Sequence, residues 1–235
     1  METLALFARQ PQPSRTKTRL AKSIGEGRAL QLYTSFMLDT AHTCWSWLQQ
    51  TVGADPNRRL VLYTAPDAQD PVLAEVARLA GAHTEVQAEG DLGVRMQACL
   101  DDEFARGARS VCILGTDTPH LPLHLLDHAY RALAWHQVVL GPSSDGGYWL
   151  VGAQRPPPDL FSNVEYSTPD VTRATIAKCR AQRVEPHLLP MTFDVDDDAD
   201  LRSLATMLYA TGRDSKTWQT LRDLKLVDDD GRLLL

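Results

Sequence analysis

Apolar and polar positions along this chain repeat with two periods. Short, nearly unbroken apolar runs predict strands at "TLALFA" (Thr3–Ala8), "RLVLYT" (Arg59–Thr64), "SVCILG" (Ser110–Gly115), "QVVLGP" (Gln137–Pro142) and "YWLVGA" (Tyr148–Ala153). Runs without alternation belong to strands covered on both faces, as in a mainly parallel sheet between helices. Longer stretches with apolar positions three and four apart predict helices over Gly27–Trp47, Pro71–Ala80, Leu92–Arg106, Pro122–Trp135, Pro169–Gln182 and Ala199–Tyr209. Two of these have start signals: Asp91 is placed to cap the helix beginning at Leu92, and Thr168 to cap one with Pro169 in its first turn. The pattern predicts an α/β protein, a three-layer α/β/α sandwich. Ligands of such sheets bind outside the carboxyl ends of the strands.

Composition narrows the class. The 235 residues are 43% hydrophobic and 23% charged, ordinary for a globular chain, and contain no internal repeat. They read as one domain over 1–235. The only biased tract, "RPPPD" (Arg155–Asp159), is a stiff loop rather than a linker. A formal charge of -6 argues against nucleic acid as a partner, because phosphate backbones call for a basic face. Cys44, Cys99, Cys112 and Cys179 are scattered without a CxxC pair and read as reduced, buried thiols. The amino terminus lacks the pattern of a signal or transit peptide, and no window approaches the roughly 20 apolar residues of a membrane span. The expected location is the cytoplasm.

The strand-end loops hold the candidate chemistry. After the first strand, "RQPQPSRTKTRLAK" gathers Arg9, Arg15, Lys17, Arg19 and Lys22 in a segment whose prolines discourage immediate helix formation. It is either a diphosphate cradle or a solvated basic loop; its place after the first strand of an α/β sheet favours the cradle. It is not a GxxxxGK[ST] loop. "EGDLGVRM" puts Gly90 and Gly93 at a strand-to-helix junction, where free backbone N–H groups can meet a base or a phosphate. In "LGTDTPHLP", Asp117 sits at a strand tip. In "FDVDDDADL", Asp194 and Asp196 share one side of an extended segment, while Asp197, Asp198 and Asp200 suit the start of the next helix. Asp117, Asp194 and Asp196 together offer hard oxygen donors for Mg²⁺ or Mn²⁺.

"PSSDGGYWLVG" joins two strand candidates and reads as a hairpin turn, or as a place where Gly146 and Gly147 admit a substrate and Asp145 points at an acceptor hydroxyl. Tyr148 then forms an apolar wall, and Trp149 belongs to the core. His120, His124 and His128 recur every four residues, a spacing that can chelate a metal, but Pro122 interrupts the first interval and no nearby Cys or Glu completes a set. No GxSxG elbow or paired cysteine supports acyl chemistry.

The ordered set "LFARQPQPSRTKTRLA", "YTSFMLDT", "GDLGVRM", "LGTDTPHLP", "LGPSSDGGYWLVG", "YSTPDV" and "DVDDDADL", from Leu4 to Leu201, resembles the bacterial DUF2064 family of glycosyltransferase-like proteins. That family is similar to nucleotide-diphospho-sugar transferases of the GT-A type and, more distantly, to nucleotidyltransferases. The resemblance implies a nucleotide-binding part over about 1–118, an acceptor side over about 119–210 and a C-terminal helical extension over about 211–235. It implies that Arg9, Arg15, Lys17 and Arg19 hold a diphosphate, that Gly90 and Gly93 line the nucleotide pocket, and that Asp117 is the metal-binding aspartate of the strand-end motif. Asp145, Gly146, Gly147 and Tyr148 face the sugar or acceptor. In one departure, "DVDDDADL" carries Asp197 and Asp198 where relatives commonly have Thr-Pro; this retains Asp196 and alters the helix start.

The leading expectation is a metal-dependent glycosyltransferase in which Asp117 and Asp196 hold Mg²⁺ or Mn²⁺ on a nucleotide sugar and Asp145 is the general base. A nucleotidyltransferase of the phospholactate guanylyltransferase kind, moving a nucleoside monophosphate from a triphosphate to a phosphorylated acceptor, uses the same cradle. A non-catalytic nucleotide-binding module is the third alternative. The partners implied are a nucleotide and a small-molecule acceptor.

Overall fold

A computed structural model of the protein describes residues 1–49, 57–66 and 69–235. Its strands are β1 (Glu2–Arg9), β2 (Arg58–Ala65), β3 (His83–Val86), β4 (Ser110–Leu114), β5 (Val138–Pro142), β6 (Tyr148–Gln154) and β7 (His187–Leu188). They form one sheet in the order β3-β2-β1-β4-β6-β5-β7. All neighbours are parallel except β6, which runs antiparallel to both β4 and β5. The Ser-Ser-Asp-Gly-Gly segment is therefore a hairpin turn between β5 and β6.

The helices are α1 (Thr18–Ile24), α2 (Glu26–Gln49), α3 (Pro71–Ala80), α4 (Leu92–Ala105), α5 (Leu123–Leu133), α6 (Val171–Ala181), α7 (Asp198–Thr211) and α8 (Lys216–Asp223). Side chains of the central strands alternate between two apolar layers. Leu4, Leu6, Leu60, Leu62 and Leu114 face Leu32 and Phe36 of α2, Leu73 and Val76 of α3, and Leu126 of α5. Ala5, Val61, Val111, Ile113 and Val151 face Met96, Leu100 and Phe104 of α4 and Cys179 of α6. The fold is thus the three-layer α/β/α sandwich with a mainly parallel sheet that the apolar runs predict.

Local chemistry fixes several boundaries. Asp70 accepts hydrogen bonds from the amides of Val72 and Leu73, Pro71 opens α3, and Gly81 closes it in the left-handed region at φ 61°. Asp91 caps α4 through the Val94 amide, as expected. Thr168 does not cap α6. The helix starts at Val171 after Asp170, and the Thr168 hydroxyl donates to the Glu165 carbonyl. All four cysteines are buried and free. Among the described residues no helix is long and apolar enough to cross a membrane.

Three elements depart from the sequence reading. β3 is a short edge strand whose residues are exposed or half-exposed, and β7 pairs with β5 over only two residues, so neither has an apolar run to betray it. α1 forms inside the basic segment read as loop, because Leu20 and Ile24 are buried one turn apart beneath its polar surface.

Candidate functional site

The site is built where β1 and β4 end side by side. The loop after β1 carries the cations, the turn after β4 carries Asp117, and the segment before α7 returns to lay Asp194 and Asp196 beside them. Two backbone links fix that return: the Val195 amide donates to the Asp117 carbonyl at 3.0 Å, and the Ser144 amide donates to the Thr192 carbonyl at 2.9 Å. The Asp117 turn, the Asp145 turn and the Asp194 segment are thereby held as one surface.

Lys17 is the hub. It occupies the N-cap position of α1 in the left-handed conformation, φ 47° and ψ 47°, uncommon for a residue other than glycine. Its side chain is 5% exposed, and its Nζ stands 2.6 Å from Asp117 Oδ1 and 2.9 Å from Asp196 Oδ1. Burial by itself depresses an ammonium pKa; Asp117 and then Asp196 outweigh it, and Lys17 is held charged above its ordinary value. Arg19 Nη2 takes the other Asp196 oxygen at 2.7 Å. Burial resists ionisation of Asp196, but Lys17 and Arg19 prevail and hold its carboxyl below the usual range.

Asp194 is the opposite case. Burial, followed by the charges of Asp117 and Asp145, pushes its carboxyl up to about 7 against the partial relief of Lys17. The three aspartates are hard oxygen donors of the kind Mg²⁺ or Mn²⁺ takes. As they stand, Lys17 lies between Asp117 and Asp196, and among the described residues no three His, Cys, Asp or Glu side chains are grouped to hold a metal ion.

Beside this cluster a cleft of about 480 Å³ opens between the carboxyl ends of β1 and β4 and the start of α4. Asp117 and Asp194 are in its wall, as are Arg9, Gly90 and Tyr148. Arg9 is exposed, and Arg15 lies exposed at the tip of the basic loop. Asp145 is exposed at the hairpin turn, where its Oδ1 accepts from the Gly147 amide at 2.9 Å. Gly146 has φ 92°, and a Cβ there would meet the Pro169 carbonyl oxygen at 2.0 Å, so the α6 entry loop demands this glycine. Trp149 is buried, as expected, with its indole N–H donating to the Pro190 carbonyl.

Gly93 departs from the reading that puts it in the nucleotide pocket. It lies in the first turn of α4, where a Cβ would stand 2.7 Å from the Tyr166 ring, and it borders a separate groove against residues 157–164. Close packing explains this glycine. The helix-start part of the acid run is as expected, with Asp197 capping α7 by accepting from the Ala199 and Asp200 amides and Asp200 closing the capping box, while Asp196 pairs with Lys17 and Arg19.

Residues missed by sequence reasoning also line the cleft. Tyr33 of α2 is buried, shares a 3.2 Å hydrogen bond with Thr116, and belongs to the quoted "YTSFMLDT" segment. Arg95 of "GDLGVRM" reaches the cleft with its Nε bonded to the Gly90 carbonyl at 2.9 Å. Both lie in stretches singled out for their pattern, yet a helical Tyr or Arg gives no sign of direction until the helix is packed.

A cleft of this construction, on a sheet with one reversed strand, has the fold of the nucleotide-diphospho-sugar transferase-like proteins. Residues 47–168 match the model of the DUF2064 family, described as an uncharacterized protein conserved in bacteria, and the chain belongs to that family. The structure is similar to the crystal structure of a Desulfovibrio desulfuricans G20 protein named for a proposed nucleotide-diphospho-sugar transferase activity, with 28% identity, TM-score 0.81 and coverage of 95% of each chain. It also shares its fold with a cytidylyltransferase from Leptospira borgpetersenii serovar Hardjo-bovis (strain JB197), at 14% identity and TM-score 0.55 over 95% of this chain and 93% of that one. A third similar fold is that of CMP:2-keto-3-deoxy-manno-octonic acid synthetase complexed with CTP, at 11% identity and TM-score 0.51 over 89% and 98% of the two chains. No protein of curated function matches the sequence.

Proposed function

We propose that this protein is a nucleotide-dependent transferase that moves a glycosyl group from a nucleotide-diphosphate sugar to a hydroxyl acceptor. The observation that supports this most directly is the cleft at the strand tips, with Asp117 and Asp194 in its wall and the buried Lys17 ammonium held against Asp117. The likeness to the Desulfovibrio protein favours the same reading.

The nucleoside lies along the cleft past Gly90, and the diphosphate meets Arg9, Arg15, Lys17 and Arg19. Asp117 with Asp194 and Asp196 would hold Mg²⁺ or Mn²⁺, which would supply charge neutralisation to the departing diphosphate. Lys17 turns from the aspartates toward the phosphate oxygens, and its charge stabilises the departing group. The acceptor approaches over Gly146, Gly147 and Tyr148. Asp145 takes the proton of its hydroxyl as that oxygen attacks the anomeric carbon, the bond to the diphosphate breaks, and a nucleoside diphosphate leaves.

Nucleotidyl transfer is the second reading, favoured by the cytidylyltransferase folds. One experiment separates the two. The protein is melted with UDP-, GDP-, CDP- and dTDP-sugars and with nucleoside triphosphates, each with and without Mn²⁺, and the stabilising nucleotide is then assayed for turnover with candidate acceptors. A ligand at 100 times its dissociation constant stabilises by about 2.7 kcal/mol. Release of nucleoside diphosphate supports glycosyl transfer, release of pyrophosphate supports nucleotidyl transfer, and the absence of any nucleotide response defeats both.

A further inference from the structure

His128 of α5 and His187 of β7, 59 residues apart, bring their Nε2 atoms to 3.2 Å. Their rings meet edge to face with centroids 5.2 Å apart, and the ring of His136, just beyond α5, lies 4.9 Å from that of His187. The four-residue spacing of His120, His124 and His128 does not produce a shared site. His120 stacks on Phe193 at 4.2 Å, His124 is exposed, and His128 instead meets a strand from elsewhere in the chain. None of the three clustered imidazoles lines the cleft, and β7 is the last strand of the sheet.

Two imidazole nitrogens bound to one tetrahedral zinc ion at about 2.0–2.1 Å stand about 3.3–3.4 Å apart. The 3.2 Å separation is within about 0.2 Å of that bite. Without a metal the contact is an N–H···N hydrogen bond, which requires one ring to present a bare lone pair. Imidazole donors favour Zn²⁺, Cu²⁺ and Ni²⁺, whereas the carboxylates beside Lys17 favour Mg²⁺ and Mn²⁺.

We propose that His128 and His187 form a two-point chelate for a borderline divalent cation such as Zn²⁺, which His136 joins by turning its side chain, with water completing the shell. The bound ion staples α5 to the edge strand β7. This site is independent of the transferase reading.

The test uses Co²⁺ as a spectroscopic probe and Zn²⁺ in calorimetry, with excess Mg²⁺ present to occupy the carboxylates. The intact protein is expected to take up one Co²⁺ with visible ligand-field bands that Zn²⁺ displaces. His128→Gln and His187→Gln should each weaken binding by about tenfold or more. His136→Gln should reduce affinity less, and His124→Gln should leave it unchanged. Melting curves without metal confirm that the variants fold. The proposal is overturned if millimolar Zn²⁺ shows no stoichiometric binding, or if the folded His128→Gln/His187→Gln double variant keeps the Co²⁺ bands.

Discussion

The Lys17 ammonium lies 2.6 Å from the Asp117 carboxylate, a contact that ties the loop after β1 to the tip of β4. Lys17 is almost completely buried, while Asp117 and Asp196 are 44% and 31% exposed, so water shares in neutralising the acids but reaches the ammonium little.

Lys17→Met is the direct check of this hub. Removing the ammonium leaves two carboxylates facing each other, but their exposure limits the cost below the roughly 3–5 kcal/mol of a fully buried pair. A loss of about 1–3 kcal/mol at neutral pH is expected from urea unfolding. Nucleotide-induced stabilisation should disappear as well. An unchanged unfolding midpoint would show that the contact contributes nothing.

Asp194 sets a pH dependence with a definite sign. Its folded pKa of about 7 lies above the unfolded value near 3.9. The native state therefore holds a proton that the unfolded chain has lost, and this group makes stability fall as pH rises from about 4 to 7. Above pH 7 the penalty is complete. Asp194→Asn should stabilise the protein at pH 8 by on the order of 1–3 kcal/mol, and that gain should shrink toward zero below pH 4. Denaturant titrations at a series of pH values read this directly; a gain that grows with acidification contradicts it.

The five central strands are legible in the sequence because β1, β2, β4, β5 and β6 are buried along most of their length and leave unbroken apolar runs. The polar strands β3 and β7 are edges held by backbone pairing, which leaves no periodicity to read. At the site, the residue types were readable and their relations were not. Nothing local to "SRTKTR" says that Lys17 is buried, since its partner Asp196 lies 179 residues away. Likewise the glycines of "EGDLGVRM" read alike, yet Gly90 borders the cleft while Gly93 makes room for Tyr166, a contact fixed only by how α4 packs.

The hairpin glycines separate structure from approach. At Gly146 a methyl group combines a positive φ with a backbone collision at Pro169, and Gly146→Ala should cost about 2–4 kcal/mol and lower the melting temperature. At Gly147 the nearest atom to an added Cβ is the Asp145 carboxylate oxygen at 3.2 Å, the end of an exposed side chain that can give way. Gly147→Ala should stay within about 1 kcal/mol of the parent in thermal melts. If both variants melt alike, the Pro169 contact is not what requires glycine.

The acid run before α7 allows the last separation, between an aspartate that shapes the helix and one that faces the site. Asp197 holds the Ala199 and Asp200 amides, so Asp197→Ala should cost about 1 kcal/mol and leave the nucleotide response intact. Asp196 makes no cap with its side chain; both of its oxygens are turned to Lys17 and Arg19. Asp196→Asn keeps the shape but frees Lys17 from one of its two acids and weakens the hold on Arg19. Stability should fall by about 1 kcal/mol and by less than in Lys17→Met, because the exposed Arg19 pair contributes about 0–1 kcal/mol and the buried Lys17 keeps Asp117. The Mn²⁺-dependent part of any nucleotide-induced melting shift should be lost. Should Asp197→Ala abolish that shift while Asp196→Asn preserves it, the ligand role belongs to the cap and the division of the acid run is reversed.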